Sequence, residues 1–230
     1  MSTPPSPERT SFRMDRTAFR AQTAQAADRR VAFWRTRPVS ERLRAAGFLI
    51  GQAYNLPDYF AHRMDRSVSR IKYRRMANNI FNSDFQDFIK ALNTAEVRYV
   101  LVGGYAVIVH GYNRTTGDMD IWVEPTQANY DRLLSAFAEF GMPTFDMTES
   151  KFLQTEAYDV FTFGLPPSAI DLMTQVKGLS FPAAYAASSL HEFEDLSVRV
   201  VSYRDLLTAK RASARLRDLN DVEQLEAGDE

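Results

Sequence analysis

The chain has no cysteine in its 230 residues. That excludes disulfides, thiolate-ligated zinc and cysteine nucleophiles. No stretch approaches the roughly eighteen apolar residues of a membrane-spanning helix, so nothing is expected to span a membrane. The opening, MSTPPSPERT, is polar and proline-rich with no apolar segment, so no secretory signal is expected and a cytoplasmic location follows. What is present is 45% hydrophobic and 12% aromatic. That is ample for a packed core and unlike a disordered chain. The length suits one large domain, or a domain with an accessory module.

The formal net charge of −1 conceals a strong asymmetry. Residues 1–75 carry 16 Lys and Arg against 6 Asp and Glu, whereas residues 76–230 carry 12 against 23. Such a split predicts two modules with different electrostatic roles. The basic part suits binding to nucleic acid or to an acidic partner. It suits equally well docking on the acidic domain of its own or another chain.

The expected organisation is a flexible tail over 1–13, a basic and mainly helical accessory module over 14–75, and an α/β (α+β) domain over 76–230. From Met14 to Arg37 the text is helix-compatible and Arg-rich. Ser40 then reads as the N-cap of an amphipathic helix with Leu43, Ala46, Gly47, Ile50 and Tyr54 at helical spacing. Residues 55–75 are punctuated by Asn and Pro and end strongly basic. Beyond Met76, Ser83 caps a helix carrying Phe85, Phe88, Ile89 and Leu92. Tyr99–Val102 is a short apolar strand, and Tyr105–His110 continues as a short helix. Asp118–Val123 is a second strand, and Thr126 caps a helix reaching Phe140. Strands are expected at Tyr158–Phe163, Ala169–Met173 and Leu196–Val201, with helix over 181–190 and over Tyr203–Leu225. Strands alternating with helices predict a mixed sheet flanked by helices.

One stretch carries chemistry: VGGYAVIVHGYNRTTGDMDIWV, residues 102–123. A glycine pair after a buried strand lets backbone approach a ligand and leaves amides at a helix start, where a phosphate is favoured. Asp118 and Asp120, two apart on a strand, point to the same face. Like charges that close repel unless a cation lies between them, and Mg²⁺ takes hard carboxylate oxygens together with phosphate and water. Asp171, one carboxylate in the apolar run SAIDLM, completes a candidate metal set and suits deprotonation of an attacking hydroxyl. Asp159 competes for that third place. Arg114 suits either a phosphate or a salt bridge, and Lys177 and Lys210 are candidate cations for a triphosphate or ordinary surface lysines. His110, in an apolar stretch, reads as a packing histidine.

The pattern strand-GG-Y-A-V-x-x-H-G-x-x-R-x-T-x-D-x-D resembles the nucleotidyltransferase superfamily. More narrowly, it is similar to the small nucleotidyltransferase-like proteins of bacterial toxin–antitoxin and abortive-infection modules. The ending LLTAKRASARLRDLNDVEQL also resembles the closing segment of those proteins. The resemblance covers about residues 80–225. It implies a nucleotidyltransferase-like mixed sheet and a Mg²⁺- or Mn²⁺-dependent transfer of a nucleoside monophosphate, from ATP or another NTP, to a hydroxyl acceptor. Asp118, Asp120 and Asp171 would be catalytic and hold metal. Gly103, Gly104, Arg114, Thr115, Lys177 and Lys210 would bind nucleotide. Many members carry Gly-Ser at the turn; here Gly104 takes the second place, which leaves the phosphate contact to backbone, Thr115 or Thr116. RNA, tRNA in particular, is the favoured acceptor. A cognate toxin or antitoxin protein, or an antibiotic, is the alternative acceptor, and an inactive nucleotide- or RNA-binding module is the non-enzyme alternative. The basic first part weakly resembles short basic proteins encoded beside such enzymes.

Overall fold

The structure is a computed structural model that describes residues 12–23, 30–53 and 80–228. Most of the tail expected over 1–13, and the whole Asn- and Pro-punctuated stretch expected over 55–75, lie outside the described residues. Seven strands form one mixed sheet: β1 (Phe19–Gln22), β2 (Tyr99–Leu101), β3 (Asp118–Val123), β4 (Val160–Leu165), β5 (Ser168–Met173), β6 (Ser189–Phe193) and β7 (Leu196–Val200). Their order across the sheet is β1-β4-β5-β3-β2-β7-β6. β3 runs parallel to β5 and antiparallel to β2. Around them lie α1 (Arg30–Arg35), α2 (Val39–Ala53), α3 (Ser83–Thr94), α4 (Gly103–Val109), α5 (Gln127–Phe140), α6 (Glu149–Leu153), α7 (Phe181–Ala187), α8 (Tyr203–Ser213) and α9 (Leu216–Ala227). This is the expected mixed sheet flanked by helices.

Local chemistry explains most element ends. Asn82, one residue before the expected cap, accepts the Phe85 amide at 2.9 Å and starts α3. Thr126 caps α5 as its spacing predicted, accepting from the Asn129 amide, and left-handed Gly141 ends it. β2 is buried throughout, and in β3 and β5 buried apolar residues flank the acids Asp118, Asp120 and Asp171. Phe85, Phe88, Ile89 and Leu92 of α3 pack with Leu133 and Phe137 of α5 in a core that also takes in Met119, Ile121 and Trp122.

Four expectations are corrected. The helix expected over Met14–Arg37 is replaced at Phe19–Gln22 by an edge strand antiparallel to β4, with Arg20 opposite Thr162. Met14 and Phe19 join the core, and the Met14 amide donates to buried Asp84 at 2.9 Å. Burial of these apolar groups and closure of a sheet edge outweigh the local helical tendency. In α2 the buried residues are Ala45, Gly47 and Gly51 while Leu43 is 63% exposed. The helix turns small residues rather than its leucine inward, which apolar spacing did not reveal. The helix expected over 181–190 stops at Ala187, and Ser189–Phe193 is an edge strand. The C-terminal helix divides at Ala214, whose φ is +54°.

Candidate active site

The sheet register assembles the site. Across four adjacent strands, Arg20, Thr162, Asp171 and Asp120 stand opposite one another in sequence, β1 to β4 to β5 to β3. Side chains opposite one another in a sheet share a face. Asp120 and Asp171 are therefore neighbours on one face, with Asp118 two residues along the same strand. Asp118 is 4% exposed, and Asp120 and Asp171 are half-buried. Asp159 precedes β4, beside Thr174 beyond the far end of β5, and so does not join this row.

Gly103 and Gly104 open α4 directly over Asp120. Gly103 has φ +62°, and a Cβ there would lie 1.9 Å from Asp120 Oδ2. The Gly104 amide donates to that oxygen at 3.2 Å. Only glycine allows this approach. A Cβ on Gly104 would meet Thr116 Oγ1 at 2.4 Å and Arg114 Nη2 at 2.9 Å. The space in which a serine side chain would begin is thus filled by the buried Thr116 hydroxyl and by Arg114. Thr115 is exposed, and its carbonyl accepts from Arg217 Nη2 at 2.9 Å.

Thr162 was not singled out in the sequence, yet its hydroxyl donates to Asp171 Oδ1 at 2.6 Å and accepts from Gln22 Nε2 at 3.2 Å. No motif marks either residue; only the register of β1 and β4 brings them to the carboxylate. Tyr105 lies beneath the turn, its hydroxyl accepting from Gln52 Nε2 of α2 at 2.5 Å. Burial, and then the charges of Asp118 and Asp120, push its phenol far above the ordinary range, so it stays neutral.

The basic candidates separate. Arg114 Nε pairs with Asp221 Oδ1 at 3.0 Å. Burial and the neighbouring Arg217 lower its pKa against the opposing pull of Asp221. Lys210, 7% exposed, places its ammonium 2.6 Å from Asp218 and 2.8 Å from Asp221. Arg114 and Lys210 thus share Asp221 in a buried network tying the 114–118 loop to α8 and α9, and Lys210 is directed to these acids. Lys177 is exposed in the loop after β5, whose Gly178 packs on Thr208 and Ala212 of α8. His110 Nε2 meets the Val201 carbonyl at 2.8 Å, as a packing histidine does.

The donor set suits a hard divalent cation: carboxylates on one face of two adjacent strands, leaving phosphate and water to complete the shell. Among the described residues no three or more His, Asp or Glu side chains are drawn together as a preformed cluster. No helix among them is long and apolar enough to cross a membrane.

A family model described as a nucleotidyltransferase of unknown function (DUF6036) matches residues 82–227. The chain belongs to this nucleotidyltransferase family. The family region contains the glycine turn, the three carboxylates and the Arg114–Lys210 network, whereas Gln22 and α2 lie outside it. No curated protein is a significant match to the sequence. Among solved structures, the lincosamide antibiotic adenylyltransferase LnuA with lincomycin bound is 15% identical, with a TM-score of 0.44, covering 65% of this chain and 98% of that one. A candidate nucleotidyltransferase from Thermotoga maritima is 13% identical, with a TM-score of 0.39, covering 62% and 88%. Neither likeness bears on this family member's substrate.

Proposed function

We propose that the protein transfers a nucleoside monophosphate from an NTP to a hydroxyl acceptor, with RNA, tRNA in particular, as acceptor, in a toxin–antitoxin-like setting. The observation that carries the reading is the register of Asp120 with Asp171 beneath the Gly103–Gly104 turn. A triphosphate seated on that turn meets Asp120 at once, and two anions there repel. Carboxylates and phosphates can share the space when a divalent cation lies between them. Asp118, Asp120 and Asp171 would hold it. Magnesium, if bound there, would supply neutralisation of the phosphate charge.

The chain's own groups do the rest. Backbone at Gly103 and Gly104, with the Thr116 hydroxyl and Arg114 beside it, would position the triphosphate. Asp171 would take the proton from the acceptor hydroxyl, and Thr162 and Gln22 would hold its carboxylate in place. The acceptor oxygen then bonds to the α-phosphorus as the bond from that phosphorus to the β-bridging oxygen breaks, and pyrophosphate leaves. We retain for residues 14–75 the role of an accessory module to the 76–230 enzyme. Its described part extends the sheet through β1 and contributes Gln22 and Gln52.

The purified chain, incubated with each labelled nucleoside triphosphate, Mg²⁺ and either total RNA or a cell extract, tests the reading. Label is expected in RNA. Label in protein or in an added lincosamide would replace the acceptor, and label in nothing would overturn the reading. Thr162→Val should lower kcat about tenfold with KM for the NTP unchanged, because a hydrogen bond to a charged group contributes about 1.5–3 kcal/mol. Thr162→Ser should restore it. An unchanged kcat in Thr162→Val would remove Thr162 from the mechanism.

A further inference from the structure

Beside the carboxylates lies a cleft of about 630 Å³ with an unusual wall. Asp118 and Gly117 line the cleft together with Trp34 and Arg35 of α1, Arg42 of α2 and Arg217 of α9. The packing that builds it is close. A Cβ on Gly117 would lie 2.4 Å from the Pro167 carbonyl oxygen and 3.4 Å from Leu49 of α2. α2 of the basic N-terminal part is thereby set against the loop that leads into β3.

Three guanidinium groups on one cleft repel unless anions lie among them. Among the described residues, Asp118 is the one acidic residue lining this cleft. Arg35 and Arg42 are exposed and have no ion-pair partner among the described residues. Their neighbour Arg37, by contrast, pairs with Glu41 and lies over the Phe33 ring. Arg217 is already fixed by the Thr115 carbonyl. The wall also offers a half-buried indole, held edge-to-face by Phe33 at 5.1 Å. Spaced cations beside an aromatic face match a phosphodiester strand with unpaired bases, because every base has a face to stack. A duplex hides those faces.

The cleft is also placed for an acceptor rather than for the incoming triphosphate. Of the three carboxylates and two glycines, only Asp118 lines it, with Thr115 and Thr116 at its border with the triphosphate position; the glycine turn lies over Asp120, further along β3. A strand bound there would approach the site from the side of Asp118. We infer that α1 and α2, with Arg217, form the acceptor wall of the active site and take a single-stranded nucleic acid, with Trp34 stacking on a base and Arg35 and Arg42 holding phosphates. This rests on the nucleotidyl-transfer reading for the meaning of the site, and not for the binding itself.

The test uses the full chain and a fluorescent single-stranded oligoribonucleotide of mixed sequence, titrated at several salt concentrations. Nucleoside triphosphate binding is measured separately. Arg35→Ala/Arg42→Ala should weaken oligonucleotide binding on the order of tenfold and reduce the slope of log K against log salt by about 1.4, at about 0.7 for each phosphate contact in a single strand. Arg35→Lys/Arg42→Lys should restore the slope. Trp34→Ala should weaken binding on the order of tenfold with the slope unchanged. Triphosphate affinity should stay constant in all three. Unchanged oligonucleotide affinity and slope would overturn the inference. So would loss of triphosphate affinity with oligonucleotide binding intact, since the cleft would then belong to the nucleotide. If the chain binds the oligonucleotide through these residues but transfers nothing, this inference stands and the transfer reading falls. If it transfers nucleotide yet ignores the oligonucleotide, the reverse holds.

Discussion

Asp120→Asn is expected to reduce nucleotide transfer on the order of 10³-fold while leaving the fold intact. The Asp120 side chain receives the Gly104 amide and stands opposite Asp171 on the neighbouring strand. An asparagine retains a carbonyl oxygen for that amide, so the turn keeps its hydrogen bond. What disappears is the negative charge with which the site would hold a divalent cation against the triphosphate. Such neutralisation is worth several kcal/mol in the transition state, and each 1.36 kcal/mol is tenfold in rate. The rate should fall at every Mg²⁺ concentration, with thermal stability equal to wild type. Full transfer activity in Asp120→Asn would remove these carboxylates from the chemistry.

Lys210→Met should instead unfold the protein more easily. The ammonium lies between Asp218 and Asp221 in a site where Lys210 is 7% exposed and Asp221 fully buried. Removing one partner of a buried ion pair leaves uncompensated charge and typically costs about 3–5 kcal/mol. The lower end is expected here, about 3 kcal/mol, because Arg114 still pairs with Asp221.

The pH dependence has a definite sign. Burial raises the Asp218 carboxyl, but the charge of Lys210 and hydrogen bonds from Lys210 and Ser213 outweigh it and hold the pKa below the ordinary value. A carboxyl depressed on folding contributes stability above its unfolded pKa, about 3.9, and loses it as pH falls through the lower folded value. The gap between wild type and Lys210→Met should therefore be widest near pH 7 and narrow in acid. Urea unfolding at both pH values measures it. Equal stability at pH 7 would show that the network does not hold the helices together.

The sequence left Arg114 as a phosphate ligand or a salt bridge, and Lys210 as a triphosphate cation or a surface lysine; the ion pairs add a structural role for each. Arg114 and Lys210 both pair with Asp221. An electrostatic partner eleven residues after Lys210 and 107 after Arg114 is set by how α8 and α9 fold back on the loop, and a residue type cannot announce it. Gly104 shows the same principle from the other side. Where a serine is common, Thr116 and Arg114 already occupy the space. The departure from the motif follows from packing that the motif does not contain.

What could be read in the amino acids was local. Apolar spacing placed core helices around Phe85–Leu92 and from Thr126 to Phe140, because a helix buries one stripe and that stripe repeats every three to four residues. The apolar run at 118–123 and the turn glycines were legible because each needs its neighbours alone. Asp118, Asp120 and Asp171 could be chosen as candidates on the same basis. Their alignment could not, since register pairs Asp120 with Asp171, 51 residues further along the chain. The two edge strands escaped for a related reason. FRAQ and SLHEF bury too little to alternate clearly, and pairing with β4 and β7 is what makes them strands. That pairing carries Gln22 to Thr162, and the packing of α2 on Gly117 brings the arginines of the basic segment to the mouth of the site. Charge composition alone showed a basic first third and an acidic remainder; only the tertiary structure decided that the two meet at the carboxylates, because long-range packing, not local preference, sets which surfaces face each other.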